Sequence, residues 1–242
     1  MNLFSIRTIY LSARILLLKM LYNFGYSLKK NEKEELLFNF LNRLKPKKIK
    51  LKLVRIGSKG DGGYFVPDDF FGISSCFSAG IGSDANFEYD LAQRNIKIFM
   101  ADHSINNSPL SHSNFFFIKK FIGNNNFFNY INFHDWFEKN HDNEKDHILK
   151  MDIEGDEYDV LSSISEKHLL KMRIIVFEIH NFSSILNPLA FKLIKLIFDK
   201  LQKNHSIVYI NNNPISPSIN FSEKIKIHDQ MEITMMRNDR LN

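Results

Sequence analysis

The stretch ILKMDIEGDEYDVL, Ile148 to Leu161, restricts what this chain can become more than any other. An apolar run of strand length ends in a carboxylate. A glycine follows, and then acids alternate with apolar residues. Such a segment reads as a buried strand, a tight turn and a helix start. Five acids crowd into the eight residues Asp152 to Asp159. Like charges so close repel, so each needs its own role. Acids are favoured in the first helical turn, where backbone N–H groups lack partners. Asp156 fits as the cap, with Glu157 and Asp159 behind it. Asp152 and Glu154 are left to face the space beyond the strand.

The same alternation continues along the chain. Strands are predicted at Ser74–Ser78, Ile96–Ala101, Phe115–Ile118, His147–Met151, Ile174–Ile179, Ser206–Ile210 and Glu232–Met236. Helices are predicted at Asn86–Arg94, Asp135–Asn140, Glu157–Ser163 and Leu189–Asn204. Asp135 fits as a cap and Trp136 as core. Strand–helix alternation implies a mostly parallel, seven-stranded α/β sheet with helices on both faces. The segment Asn211–Asp229, with Pro214 and Pro217, shows no helix. A parallel crossover needs one, so the last two strands should be antiparallel neighbours.

Residues 1–50 differ from the rest. Ile6, Ile9, Tyr10, Ala13, Leu16, Leu17, Met20, Leu21 and Phe24 recur at helical spacing, interrupted by Arg7, Arg14 and Lys19. That describes an amphipathic helix, too interrupted for a membrane span or a signal peptide. A second helix follows at Glu32–Leu44, then a lysine-rich connector. The reading is a basic amphipathic helical extension over 1–50 and a separate α/β domain over 51–242. The first 60 residues hold 14 Lys and Arg against 3 acids, the remainder 18 against 24. The basic arm is a solvated face, or it meets another subunit, a phosphate-bearing substrate or the inner membrane surface. No nucleic-acid partner is expected, because the basic residues precede the fold instead of interleaving with an aromatic platform. The lone Cys76 excludes a disulfide framework and a cysteine zinc site, and suggests a cytoplasmic setting.

Seven of the ten glycines lie between Gly57 and Gly82. SAGIGSDANFEYDLAQR joins the first predicted strand to a helix, and Gly80 and Gly82 let the backbone turn tightly against a ligand. Such a turn lies at the carboxyl edge of the sheet, where open α/β folds bind ligands. Asp102, 20 residues beyond Gly82, is placed to accept hydrogen bonds from a ribose. The layout fits a dinucleotide or S-adenosylmethionine. Asp84 and Glu88 near the helix start oppose a pyrophosphate and tolerate a sulfonium.

Together RIGSKGDGGYFVPDD, CFSAGIGSDANFEYDLAQR, ILKMDIEGDEYDVL, IIVFEIHNF and MEITMMRND resemble the FkbM-type S-adenosylmethionine-dependent methyltransferases, in this order over about residues 53–238. The resemblance implies a Rossmann-like methyltransferase fold. It implies O-methylation of a sugar, glycan precursor or similar hydroxylated small molecule. It implies cofactor contacts at Ser78, Gly80, Ile81, Gly82, Asp102, His103, Asp152 and Glu154, although Ser78 stands where many such enzymes open the turn with an acid. Asp61 and Tyr64, in an element before the core, would join Glu154 and His180 around the acceptor; the residues alone also allow a plain hairpin tip there.

Glu178 and His180, two apart on one strand, share a face. With Asp152 from the neighbouring strand they form the expected catalytic group, His180 or Glu178 being the base. A trio of two carboxylates and an imidazole could also hold Mg²⁺ or Mn²⁺. Two other readings stay open: a nicotinamide-dependent oxidoreductase using the same glycine turn, and a non-catalytic module binding an anionic partner.

Overall fold

The computed structural model describes residues 19–20 and 30–241; the amphipathic segment Ile6–Phe24 otherwise lies outside them. The seven expected strands form one sheet. In chain order they are β3 (Ile73–Ala79), β4 (Lys97–Ala101), β5 (Phe115–Ile118), β8 (Asp146–Met151), β9 (Met172–Ile179), β10 (His205–Asn212) and β13 (Met231–Arg237). Their spatial order is β10-β13-β9-β8-β3-β4-β5. The five from β9 to β5 run parallel, and β13 is antiparallel to both its neighbours, β9 and β10.

From β3 the chain winds outward through β4 to β5, then returns to build β8 and β9 on the other side. The winding reverses between β3 and β8, where doubly wound sheets leave a crevice at their carboxyl edge.

Alternation along the strands feeds two cores. One face packs Phe77, Leu149, Met151, Ile175 and Phe177 against the helices Phe133–Asn140, Glu157–Ser163 and Pro188–Leu201. The other packs Cys76, Ile98, Ile148, Ile174 and Val176 against the helix Asn86–Ala92 and an antiparallel hairpin, β1 (Leu53–Gly57) with β2 (Gly63–Pro67). Phe77 shows the density of the first core: its ring lies 4.8 Å from Phe137 and 5.2 Å from Trp136. Burying one such side chain contributes roughly 1.5–3 kcal/mol.

Two expectations need correction. The helix Glu34–Arg43 inserts Leu37 and Phe40 into the same core as Phe191 and Phe198, so it packs as part of the α/β domain and residue 50 is no boundary in the packing. The helix Phe133–Asn140 is capped by Asn132, which accepts the Asp135 N–H at 2.8 Å; Asp135 is inside the first turn, and Trp136 is core as expected. The Asn211–Asp229 connection holds no helix, as expected; within it β11 (Ser218–Ser222) and β12 (Ile225–His228) pair. Two short strands in the asparagine-rich loop, β6 (Phe121–Gly123) and β7 (Tyr130–Asn132), also pair. No described helix is long and apolar enough to cross a membrane.

Candidate active site

A cleft of about 480 Å³ opens at the reversal point. Its floor is the glycine turn. Gly80 has φ +76°, and a Cβ there would meet the Asp152 carbonyl oxygen at 1.6 Å, so only glycine lets β3 and β8 end side by side. At Gly82, φ +58°, a Cβ would meet nothing within 4 Å and would stand in open space.

Asp102 fixes the turn. One of its carboxylate oxygens accepts the N–H groups of Ile81 and Gly82, both at 2.8 Å. The other accepts the Ser104 N–H and hydroxyl. Burial works against the charge on Asp102, yet the Gly82 N–H, the Ser104 hydroxyl and the Ile81 N–H outweigh it and hold the carboxyl below the usual range. His103 packs against Phe121 at 5.0 Å and is not in the cleft lining, whereas Phe121 and Ile122 are.

Ser78 does not face the cleft with a charge, but an acid stands behind it. Its hydroxyl donates to Glu88, a fully buried residue of the helix Asn86–Ala92. Burial raises the Glu88 pKa, while Lys150 and Ser78 pull it down. Lys150, one step before Met151 in β8, donates to the Gly80 carbonyl and lies 5.7 Å from the Tyr64 ring. Among the described residues, seven acids line the cleft against this one cation.

The catalytic candidates gather beside the turn. Asp152, Glu178 and His180 each offer a ligand atom within 4.8 Å of the others. Tyr64 of β2 donates its hydroxyl to Asp152 at 2.8 Å, so the hairpin reaches the sheet edge, while Asp61 in its loop lines the cleft. Both readings of that segment therefore meet in one element. In the antiparallel register Glu232 of β13 lies opposite Glu178, extending the row of carboxylates.

Neighbours set the protonation of this group. Burial and then the nearby Asp152 push the Glu178 carboxyl up to about 7. The hydrogen bond from His180 to Glu157 pushes the imidazole up to about 9. Burial raises the Tyr64 phenol far above its ordinary value.

Glu157 starts its helix as expected, but the sequence reading missed its burial and its partners. It is fully buried, accepts the Ile153 and Gly155 N–H groups at 2.9 and 3.0 Å, and lies 3.1 Å from His180 Nδ1. The preceding turn runs through positive φ at Glu154 (57°) and Gly155 (117°). Asp156, expected as the cap, makes no capping bond from its side chain. Glu154 is 85% exposed in its side chain and approaches His180 Nε2 at 3.5 Å.

The profile of the methyltransferase FkbM domain matches residues 68–205, more than half of the 242. The chain belongs to this family. The FkbM match takes in the glycine turn, LKMDIEG and the Glu178–His180 strand end. The hairpin and β13 fall outside it, although the structure brings both to the same edge. The sheet is a Rossmann-like methyltransferase fold, and the protein is a methyltransferase. No curated protein matches the chain.

Proposed function

We propose that the protein is an S-adenosylmethionine-dependent O-methyltransferase acting on a hydroxyl of a sugar, glycan precursor or similar small metabolite. The observation that carries this reading is the charge of the cleft: among the described residues, seven acids and one lysine surround an open glycine turn. Such a lining repels a pyrophosphate and suits a ligand with sulfonium and ammonium groups. This argues against the nicotinamide reading. Gly80–Gly82 and Asp102 would hold the adenosine end, and Asp152 and Glu154 the cationic end. When bound, that cofactor supplies an electrophilic methyl group on positively charged sulfur.

The chain's own residues would prepare the acceptor. A hydroxyl is a weak nucleophile, so a positioned base helps by roughly 10²–10⁴-fold. Glu178, held near 7, suits that role better than His180, which Glu157 keeps protonated at neutral pH. His180 would then stabilise the ionised Glu178 and orient the acceptor oxygen. Tyr64 keeps Asp152 turned to the same point. The FkbM resemblance supports a sugar-like acceptor, and a row of carboxylates suits a polyol.

Calorimetry tests the cofactor. S-adenosylhomocysteine should bind in the micromolar range and NADH not at all; the reverse would overturn the proposal. The convergence of Asp152, Glu178 and His180 within 4.8 Å favours a second reading for the acceptor side, in which these three residues would hold Mg²⁺ or Mn²⁺ and the ion would supply polarisation of a diol. Unchanged turnover in metal-depleted buffer containing EDTA would remove it. The basic N-terminal arm is proposed to contact a subunit or the inner membrane face of a cytoplasmic enzyme.

A further inference from the structure

A second group of metal-ligating side chains lies away from the cleft. His134 and Glu138 are four residues apart on the helix Phe133–Asn140 and so share a face. His168 belongs to the short helix Glu166–Leu169, whose start is capped by Ser165. These two helices lead into the amino ends of β8 and β9, the opposite edge of the sheet from the glycine turn.

The three side chains converge. His168 Nε2 lies 2.8 Å from Glu138 Oε1, and the His134 and His168 rings stack with centroids 4.9 Å apart. One ligand atom from each falls within 4.8 Å of the others. His168 has only 3% of its side chain exposed, and its Nδ1 is buried with no hydrogen-bond partner. Lys167 is the nearest competitor, 3.7 Å from Glu138 but 72% exposed and free to swing into solvent. His141 lies 3.9 Å from the other Glu138 oxygen.

We propose that His134, Glu138 and His168 form a binding site for a borderline divalent transition metal of the zinc class, clamping the helix Phe133–Asn140 to the helix Glu166–Leu169. Two imidazoles and a carboxylate are a donor set suited to Zn²⁺ and disfavoured by Mg²⁺ or Ca²⁺. Ligand atoms in such a site stand about 2.0–2.2 Å from the ion. The stacked His134 ring must therefore turn, which its exposed position allows. No catalytic step depends on this site.

The test is zinc titration into the metal-depleted full chain by calorimetry, with thermal unfolding in parallel. The variants are His134→Ala, Glu138→Gln and, as control, Glu178→Gln. The first two change exposed side chains, and circular dichroism verifies their fold. The expected result is a class of zinc sites that raises the melting temperature and is reversed by chelator. It should weaken by about tenfold or more in His134→Ala and Glu138→Gln and persist in Glu178→Gln. Absence of zinc binding to the wild type would overturn the proposal. So would binding unaffected by the first two variants, or binding lost only in Glu178→Gln, which would move the ion to the cleft.

Discussion

Glu178 and His180 sit two residues apart at one strand end, yet their surroundings give them different protonation behaviour. Glu178→Gln should lower turnover by roughly 10²–10⁴-fold with little change in melting temperature. Wild-type turnover should rise as pH passes about 7, where Glu178 ionises, and fall near 9, where His180 loses its proton. The same shifts bear on stability. Both groups have folded values above their unfolded ones, so each stabilises the fold below its unfolded value, about 4.3 for Glu and 6.5 for His. That contribution is lost as pH rises through about 7 for Glu178 and about 9 for His180. Across pH 5 to 9 the wild-type melting temperature should therefore fall relative to that of Glu178→Gln; a gap between the two that does not move with pH would contradict the assignment. At this scale the sequence exposed Asp152, Glu178 and His180, because two-residue spacing at strand ends is readable without a partner. It hid Glu157. An acid at a helix start looks like a surface acid until the turn before it aims two N–H groups and an imidazole at it.

The glycine turn shows how an element imposes itself on residue choice. Gly80→Ala would drive a methyl group onto the Asp152 carbonyl, and nearby backbone leaves no room for it to relax. Failure to accumulate folded protein is expected. Gly82→Ala meets open space and carries only the left-handed backbone strain, roughly 1–2 kcal/mol. It should fold, with a lower melting temperature, and bind S-adenosylhomocysteine at least about tenfold more weakly. Equal behaviour of the two variants in expression and binding would refute this picture of the turn. The seven strands of the main sheet were legible because each carries an apolar run, most of them buried between two layers. β6, β7, β11 and β12 were not. They are three to five residues long, and partners supplied by the fold, more than a hydrophobic pattern, define them. The cap at Asn132 was missed for a related reason: Asp135, three residues on, has the same chemistry, and only the backbone decides between them.

Across the whole molecule the two edges of the sheet differ in character. The carboxyl edge carries the acidic cleft. At the amino edge Asp146 meets Arg173 and Arg237, and Asp69 meets Arg173 and Arg240. Burial opposes the charge of Asp146, but hydrogen bonds from Arg237 and Arg173 outweigh it and lower its pKa. Its stabilising effect is therefore present above the unfolded value of about 3.9 and is lost as pH falls through the folded one. Asp146→Asn should lower the melting temperature at pH 7 by removing charge-assisted bonds worth about 1.5–3 kcal/mol each at most. The gap between variant and wild type should shrink in acid, as thermal melts from pH 6 to 2 would show. Segments far apart in the sequence build this network, so no local pattern announces it. The placement of β13 has a consequence for synthesis. Its residues, Met231–Arg237, lie between β9 and β10, both made earlier. Until they emerge from the ribosome, the nascent chain holds two strands with bare facing edges and no Glu232 opposite Glu178. Such edges invite pairing with other chains, so a chaperone that shields them would raise the yield of active enzyme more than one acting on the finished polypeptide.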